Sequence, residues 1–206
     1  MAKNFSSKLR AKKIKLILFD VDGVLTDGKI WIFPSPATHK SVLEESAKHD
    51  DEADREVRGT SLIEAKGFYA HDGAGISLAR LGGIKTGLIT KRVSETVALR
   101  ARDLKMEYVY QGIHNKAAVL KQILEKDGIT AAEVAFVGDD VIDLPVMRKC
   151  GLAIAVKNAR PEVKSEAHWI TPHSGGDGAA RDAIEYILKA QGKWKKAVAE
   201  YISERS

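Results

Sequence analysis

Residues 14–19 form a nearly continuous apolar run, broken only by Lys15, that ends at Asp20 and Asp22. Runs of this kind suit a strand covered on both faces, as in a parallel sheet. The pattern returns at Ile84–Ile89, Tyr108–Tyr110, Val134–Val137 and Leu152–Val156. Between these runs, segments of helical period cover Ala74–Leu81, Ser94–Leu104, Lys116–Lys126 and Gly178–Ala190. Strand and helix alternating over short connections predict an α/β fold with a doubly wound, mostly parallel sheet.

One stretch interrupts the alternation. Gly28–Phe33 and Leu62–Tyr69 read as the arms of a β-hairpin inserted after the first strand. Pro34–Ser61 between them is rich in charge and sparse in apolar positions, which predicts a mobile or marginally helical insertion. Together they make an excursion at about 28–70 from one domain spanning 1–206. Trp194, Val198 and Ile202 recur at i, i+4 and i+8, so the tail at about 193–205 is expected to form a docking amphipathic helix.

Composition narrows the class. A chain of 206 residues, 44% apolar and 30% charged, supports one α/β domain with a sizeable core. The net charge of +5 owes much to basic residues at the two ends, read as solvated tails, and no aromatic–basic interleaving points to nucleic acid. The single cysteine, Cys150, rules out a disulfide within the chain and a cysteine–histidine zinc cluster, and is expected to be buried. No apolar run is long enough to span a bilayer, and no secretory leader is recognisable, so the expected compartment is the cytoplasm.

Ligands of open parallel sheets gather beyond the carboxyl ends of the strands. Here those ends carry Asp20 and Asp22, then Thr90, then Asp139, Asp140 and Asp143, while Lys116 opens a helix near the same edge. Crowded carboxylates repel unless a cation neutralises them, and hard oxygen ligands select magnesium. An aspartate can attack phosphorus to give an aspartyl-phosphate, and a carboxylate two residues along can serve the leaving group and then water. A loop hydroxyl and a lysine can hold the phosphoryl group. Asp20, Asp22, Thr90 and Lys116 fit those four roles in turn.

Asp20-x-Asp22-Gly-Val-Leu-Thr26, Thr90, Lys116 and Gly138-Asp139-Asp140-x-x-Asp143 resemble the four ordered motifs of the haloacid dehalogenase superfamily. More narrowly, Phe19–Gly28, Gln111-Gly112-Ile113-x-x-Lys116 and Gly138–Met147 are similar to the 3-deoxy-D-manno-octulosonate 8-phosphate phosphatases. The resemblance implies a Rossmann-like fold without a large cap domain, a phosphorylated sugar acid as substrate and a homotetramer assembled through the hairpin. It implies Asp20 as nucleophile and Asp22 as acid/base. Magnesium would be held by Asp20, the carbonyl of Asp22 and Asp139, with support from Asp140 or Asp143. Gly175-Gly176-x-Gly178-Ala179 resembles a family turn that reaches into an adjacent subunit's site. His71 stands where the family usually has arginine, Lys91 where it has glycine, and Asp177 where it often has arginine.

Each residue also has a plainer reading. Thr90 alone reads as a helix N-cap, Lys116 as a solvated helix residue, and Asp143 equally as loop support or metal support. His71 reads as a substrate contact, a residue that supports a substrate contact from behind, or an ordinary turn residue. Asp72 is a helix start with a substrate role inherited from the resemblance, and Arg92 pairs with a carboxylate or binds ligand. His114, His168 and His173 read as surface or core residues. Competing functions are a phosphatase for a nine-carbon 2-keto acid 9-phosphate and a catalytically inactive interaction module of the same fold.

Overall fold

The computed structural model describes residues 2–34 and 62–204, so the charged insertion expected at Pro34–Ser61 falls, beyond Pro34 itself, outside the described residues. The apolar runs become a six-stranded sheet in the order β5-β4-β1-β6-β7-β8, parallel throughout. Its strands are β1 (Leu16–Phe19), β4 (Lys85–Ile89), β5 (Tyr108–Tyr110), β6 (Val134–Gly138), β7 (Leu152–Ala155) and β8 (Trp169–Ile170). β1 is buried along its whole length, which is why its sequence does not alternate. It lies between β4 and β6, so the chain builds outward on one side, then returns and builds on the other. The crevice beside β1 is therefore a topological switch point.

Helices flank the sheet: α1 (Ala2–Ala11), α2 (Ala70–Leu81), α3 (Glu95–Asp103), α4 (Lys116–Asp127), α5 (Leu144–Met147), α6 (Pro161–Glu166), α7 (Ala179–Ala190) and α8 (Trp194–Ser203). The core sits on the central strands, where Leu16, Ile17, Leu18, Phe19 and Phe136 are completely buried. Large side chains of this kind contribute roughly 1.5–3 kcal/mol each. α2 packs along α7, and α7 also carries α1 and α8.

Four readings of the sequence change here. The basic N-terminal stretch is not a solvated tail but helix α1: Ser7 and Ala11 are buried, and Ser7 shares a 2.7 Å hydrogen bond with the hydroxyl of Tyr186. Spaced at i, i+4 and i+7, Ser7, Ala11 and Ile14 place one narrow face against the body, and the lysines obscure that face in the sequence. β8 and α6 have only two and six residues, too few to register as a period. In α8 the inward stripe is Trp194, Ala197, Val198 and Tyr201, whereas Ile202 is exposed. The hairpin arms form as β2 (Trp31–Pro34) and β3 (Leu62–Ala65), shorter than the expected arms and antiparallel, with Trp31 opposite Ala65.

Candidate active site

The site is assembled from the ends of neighbouring strands. Asp20 follows β1, Thr90 follows β4, and Asp139 follows β6. Because β1 pairs with both β4 and β6 in register, the three loops leave the sheet side by side. Asp20 is buried, and one carboxylate oxygen accepts the Val21 N–H at 2.7 Å. The other lies 2.9 Å from Lys116 Nζ, which also contacts Asp143 Oδ1 at 2.7 Å. Lys116 is thus no solvated helix residue: it opens α4 and its ammonium is enclosed.

Asp143 is fully buried, and its second oxygen accepts the Asp139 N–H at 3.0 Å. It therefore fixes the loop after β6 and also faces the carboxylate cluster. Carboxylate oxygens of Asp20, Asp139 and Asp143 lie within 4.8 Å of one another. Three carboxylates share a single ammonium, and the electrostatics follow. Burial, then the charge of Asp143, pushes Asp20 up to about 6 despite Lys116. Burial, then Asp143 and Asp20, pushes Asp139 up to about 7. Burial works against the charge of Lys116, but its two anionic partners outweigh it and hold the ammonium above the usual lysine range. Asp139 Oδ1 is buried with no hydrogen-bond partner. An orphaned anionic oxygen beside two more carboxylates fits a hard divalent cation, which would neutralise the surplus charge.

The loop after β1 is shaped around this cluster. The N–H groups of Val24, Leu25 and Thr26 all donate to the carbonyl of Val21, curling the chain tightly. Gly23 sits at φ +87°, and a Cβ there would lie 2.2 Å from Asp139 Oδ2, so only glycine fits. The glycine-rich turn braces the same loop from outside. Gly176 N–H donates to Val24 O at 3.1 Å, and a Cβ on Gly175 would meet Gly23 O at 1.7 Å. Within the subunit, then, the turn supports its own chain's loop, and its packing there is what demands glycine.

Other expected residues fall at varying distance from the cluster. Thr90 is buried at the end of β4, the strand next to β1, and does not cap α3, whose N-cap is Ser94. Asp140 is exposed and stands at the start of a short 3-10 turn, accepting from Val141 N–H at 2.7 Å. Asp72 is buried, and its carboxylate accepts the Arg181 N–H at 2.8 Å, capping the first turn of α7. Burial raises it to about 6, against the pull of the α7 amides. His71 is exposed, edge-on to Tyr69, and lines an open groove with His173, Asp177 and Arg181.

The Asp22 carboxylate is not part of the three-aspartate cluster and meets a residue that the sequence did not single out. Lys66 Nζ contacts Asp22 Oδ1 and lies 3.4 Å from Glu64 Oε1. Arg92 donates to Glu64 Oε2 at 2.8 Å and stands 3.9 Å from Asp22 Oδ2. The available signal was Glu64-x-Lys66, because residues two apart on an extended chain project to one face.

This arrangement can supply a buried nucleophilic carboxylate, a cation site, an enclosed ammonium and a second carboxylate at the mouth. A profile of haloacid dehalogenase-like hydrolases matches residues 85–182. The 3-deoxy-D-manno-octulosonate 8-phosphate phosphatase of Escherichia coli K12 is 36% identical over 193 residues, covering 94% of this chain and 89% of the relative. The Moraxella catarrhalis enzyme of that name, solved with a magnesium ion, a phosphate ion and a KDO molecule, superposes with a TM-score of 0.77. It is 32% identical, with 94% of this chain and 97% of that one covered. A probable YrbI-family phosphatase of Pseudomonas syringae superposes with a TM-score of 0.80 at 37% identity, over 96% and 98% of the two chains. With identity of this level sustained over nearly the full length of both partners, the chain belongs to the haloacid dehalogenase-like hydrolases, in the family of the 3-deoxy-D-manno-octulosonate 8-phosphate phosphatases.

Proposed function

We propose that this chain, acting as one catalytic unit over residues 1–206, hydrolyses 3-deoxy-D-manno-octulosonate 8-phosphate to the free sugar acid and phosphate with magnesium as cofactor. The observation that carries the reading is Asp20, buried 2.9 Å from Lys116 and with its carboxylate within 4.8 Å of those of Asp139 and Asp143. In the first step a carboxylate oxygen of Asp20 bonds to phosphorus as the bond to the sugar oxygen breaks, and Asp22 delivers a proton to that oxygen. In the second step Asp22 takes a proton from water, which attacks the aspartyl-phosphate and releases phosphate and Asp20. Lys116, already 2.9 Å from Asp20, neutralises charge on the transferring group, and the Thr90 hydroxyl helps to hold it. Asp20, the carbonyl of Asp22 and Asp139 would hold magnesium, with Asp143 behind them. Once bound, it offsets the negative charge of the carboxylates and the phosphoryl group. Asp140, at the 3-10 turn, serves the loop. Asp72 reaches the substrate only indirectly, by fixing α7, and His71 and Arg92 lie at the outer rim.

The test is phosphate release from a panel of phosphorylated sugar acids with and without magnesium. The octulosonate 8-phosphate is expected to exceed generic phosphoesters by about 100-fold or more in kcat/KM, a margin that a few pocket hydrogen bonds can supply. Equal turnover across the panel, or preference for a nine-carbon 9-phosphate, would remove the octulosonate assignment.

The working form is a homotetramer in the cytoplasm. No described helix is long and apolar enough to cross a membrane. Support for assembly comes from the hairpin, where Trp31, Ile32 and Phe33 are 55%, 58% and 48% exposed and Ile63 is exposed on the facing arm. A two-stranded ribbon with apolar side chains on both faces is only marginally stable alone, and needs a partner surface. Ile32→Lys with Phe33→Glu is expected to turn a four-subunit mass in light scattering into a smaller one. An unchanged mass would place the interface elsewhere.

A further inference from the structure

We propose that Lys66 is a positioning residue for the reaction, holding the Asp22 carboxylate in the orientation from which it serves the leaving group and water. The inference rests on the phosphatase reading above and deepens it. The Lys66 side chain is 0% exposed, so its ammonium is committed to its neighbours and is not held out for a ligand. Those neighbours are Asp22 Oδ1 and, 3.4 Å away, Glu64 Oε1. A buried ammonium is costly unless compensated, and Glu64 supplies the second negative charge. Glu64 is in turn fixed by Arg92 at 2.8 Å. Two cations and two carboxylates thus balance locally, apart from the three-aspartate cluster and its lysine.

The two oxygens of Asp22 are treated differently. Oδ1 is tied to Lys66, whereas Oδ2 faces Arg92 Nε at 3.9 Å, beyond hydrogen-bond range. One oxygen is anchored and the other is left to exchange protons with substrate and water. An aspartate on a sharply turned loop has two free side-chain torsions, and an anchored oxygen removes most of that freedom before substrate arrives. Lys66 stands one residue beyond β3, so the hairpin delivers the anchor. The orientation of the acid/base therefore depends on the hairpin as well as on its own loop.

The test compares wild type, Lys66→Met, Lys66→Arg, Asp22→Asn and the Asp22→Asn/Lys66→Met double variant, with magnesium, on two substrates. With octulosonate 8-phosphate, whose alkoxide needs a proton to leave, Lys66→Met is expected to lower kcat about 100-fold while KM stays within about threefold. 4-Nitrophenyl phosphate separates positioning from damage, because nitrophenolate leaves without a proton whereas hydrolysis of the aspartyl-phosphate still needs Asp22. Rapid mixing of Lys66→Met should thus give a burst of about one nitrophenolate per active site, followed by slow turnover. Lys66→Arg should restore at least about tenfold of the lost kcat, since it keeps a donor cation. Adding Lys66→Met to Asp22→Asn should cost no more than about twofold, because the group it positions is already disabled. Unchanged kcat in Lys66→Met, loss of the burst together with turnover, or a full further loss in the double variant would each overturn the proposal. Absence of phosphate release by wild type from either substrate would instead remove the phosphatase reading beneath it.

Discussion

Asp20→Asn is expected to reduce phosphate release by on the order of 10⁴-fold or more, while leaving the protein folded and, without metal, at least as stable as wild type. Loss of activity follows from chemistry: the amide keeps the shape of the carboxylate but has no anionic oxygen to form the bond to phosphorus. The stability half follows from electrostatics. Burial and Asp143 raise Asp20 to about 6 in the fold, above the ordinary aspartate value of 3.8. A carboxyl group that binds its proton more tightly when folded makes the ionised form a cost, absent below about pH 4 and complete above about pH 6. Asparagine cannot ionise, so at neutral pH it removes that cost; its carbonyl can accept from Lys116, at the loss of the bond from Val21 N–H, and removal of the buried charge is expected to outweigh that loss. It also removes one cation ligand, so magnesium should raise the melting temperature less than in wild type. Phosphate release and melting curves with and without magnesium check both halves. Retained activity would exclude Asp20 as nucleophile, and a large loss of stability in the metal-free variant would contradict the crowding of the cluster.

The sequence and the structure agree where a residue's place depends on its strand. Runs such as Leu16–Phe19 and Val134–Gly138 announce buried parallel strands, and the polar residue after each is delivered to one crevice by the topology. Asp20, Thr90, Asp139 and Lys116 could thus be placed together from order and spacing. Agreement fades where a contact is made between distant segments. The ion pair of Lys66 with Asp22 spans 44 positions and depends on the fold of a hairpin whose arms are only four residues each. Asp72 looked like the start of its own helix, yet its carboxylate caps a different helix 109 positions away. The demand for glycine at Gly175 was not legible, because no sequence pattern shows that Gly23 O would lie against its missing Cβ. α1 was obscured for a similar reason: its narrow inward face is flanked by lysines, and the tertiary partner Tyr186 lies far along the chain.

Lys116→Met should combine the second-largest loss of activity with the largest loss of stability. In the fold the ammonium is the shared counter-ion of Asp20, at 2.9 Å, and Asp143, at 2.7 Å, with Phe136 beneath it. Methionine fills similar volume, so packing is largely kept, but both buried carboxylates lose their cation. Removing one partner of a buried ion pair costs about 3–5 kcal/mol, because the charge left behind is uncompensated. The loss has a definite pH dependence. Without Lys116 the Asp20 carboxyl group binds its proton still more tightly in the fold, so ionising it costs more. The deficit is therefore smallest near pH 4 and grows as pH rises through and beyond the wild-type value of about 6 for Asp20. Magnesium should recover part of it at pH 8, where Asp20 is ionised, and little near pH 4, where a proton occupies it. For catalysis, loss of the cation that faces the phosphoryl group is expected to lower kcat by about 10²–10³-fold. Lys116→Arg should not restore activity, since a planar guanidinium needs more room than an enclosed point charge. Urea unfolding at pH 5 and pH 8, with and without magnesium, reads the stability terms separately from turnover. Equal stability of Lys116→Met and wild type at pH 8 without metal would show that the lysine is not the counter-ion holding these carboxylates together.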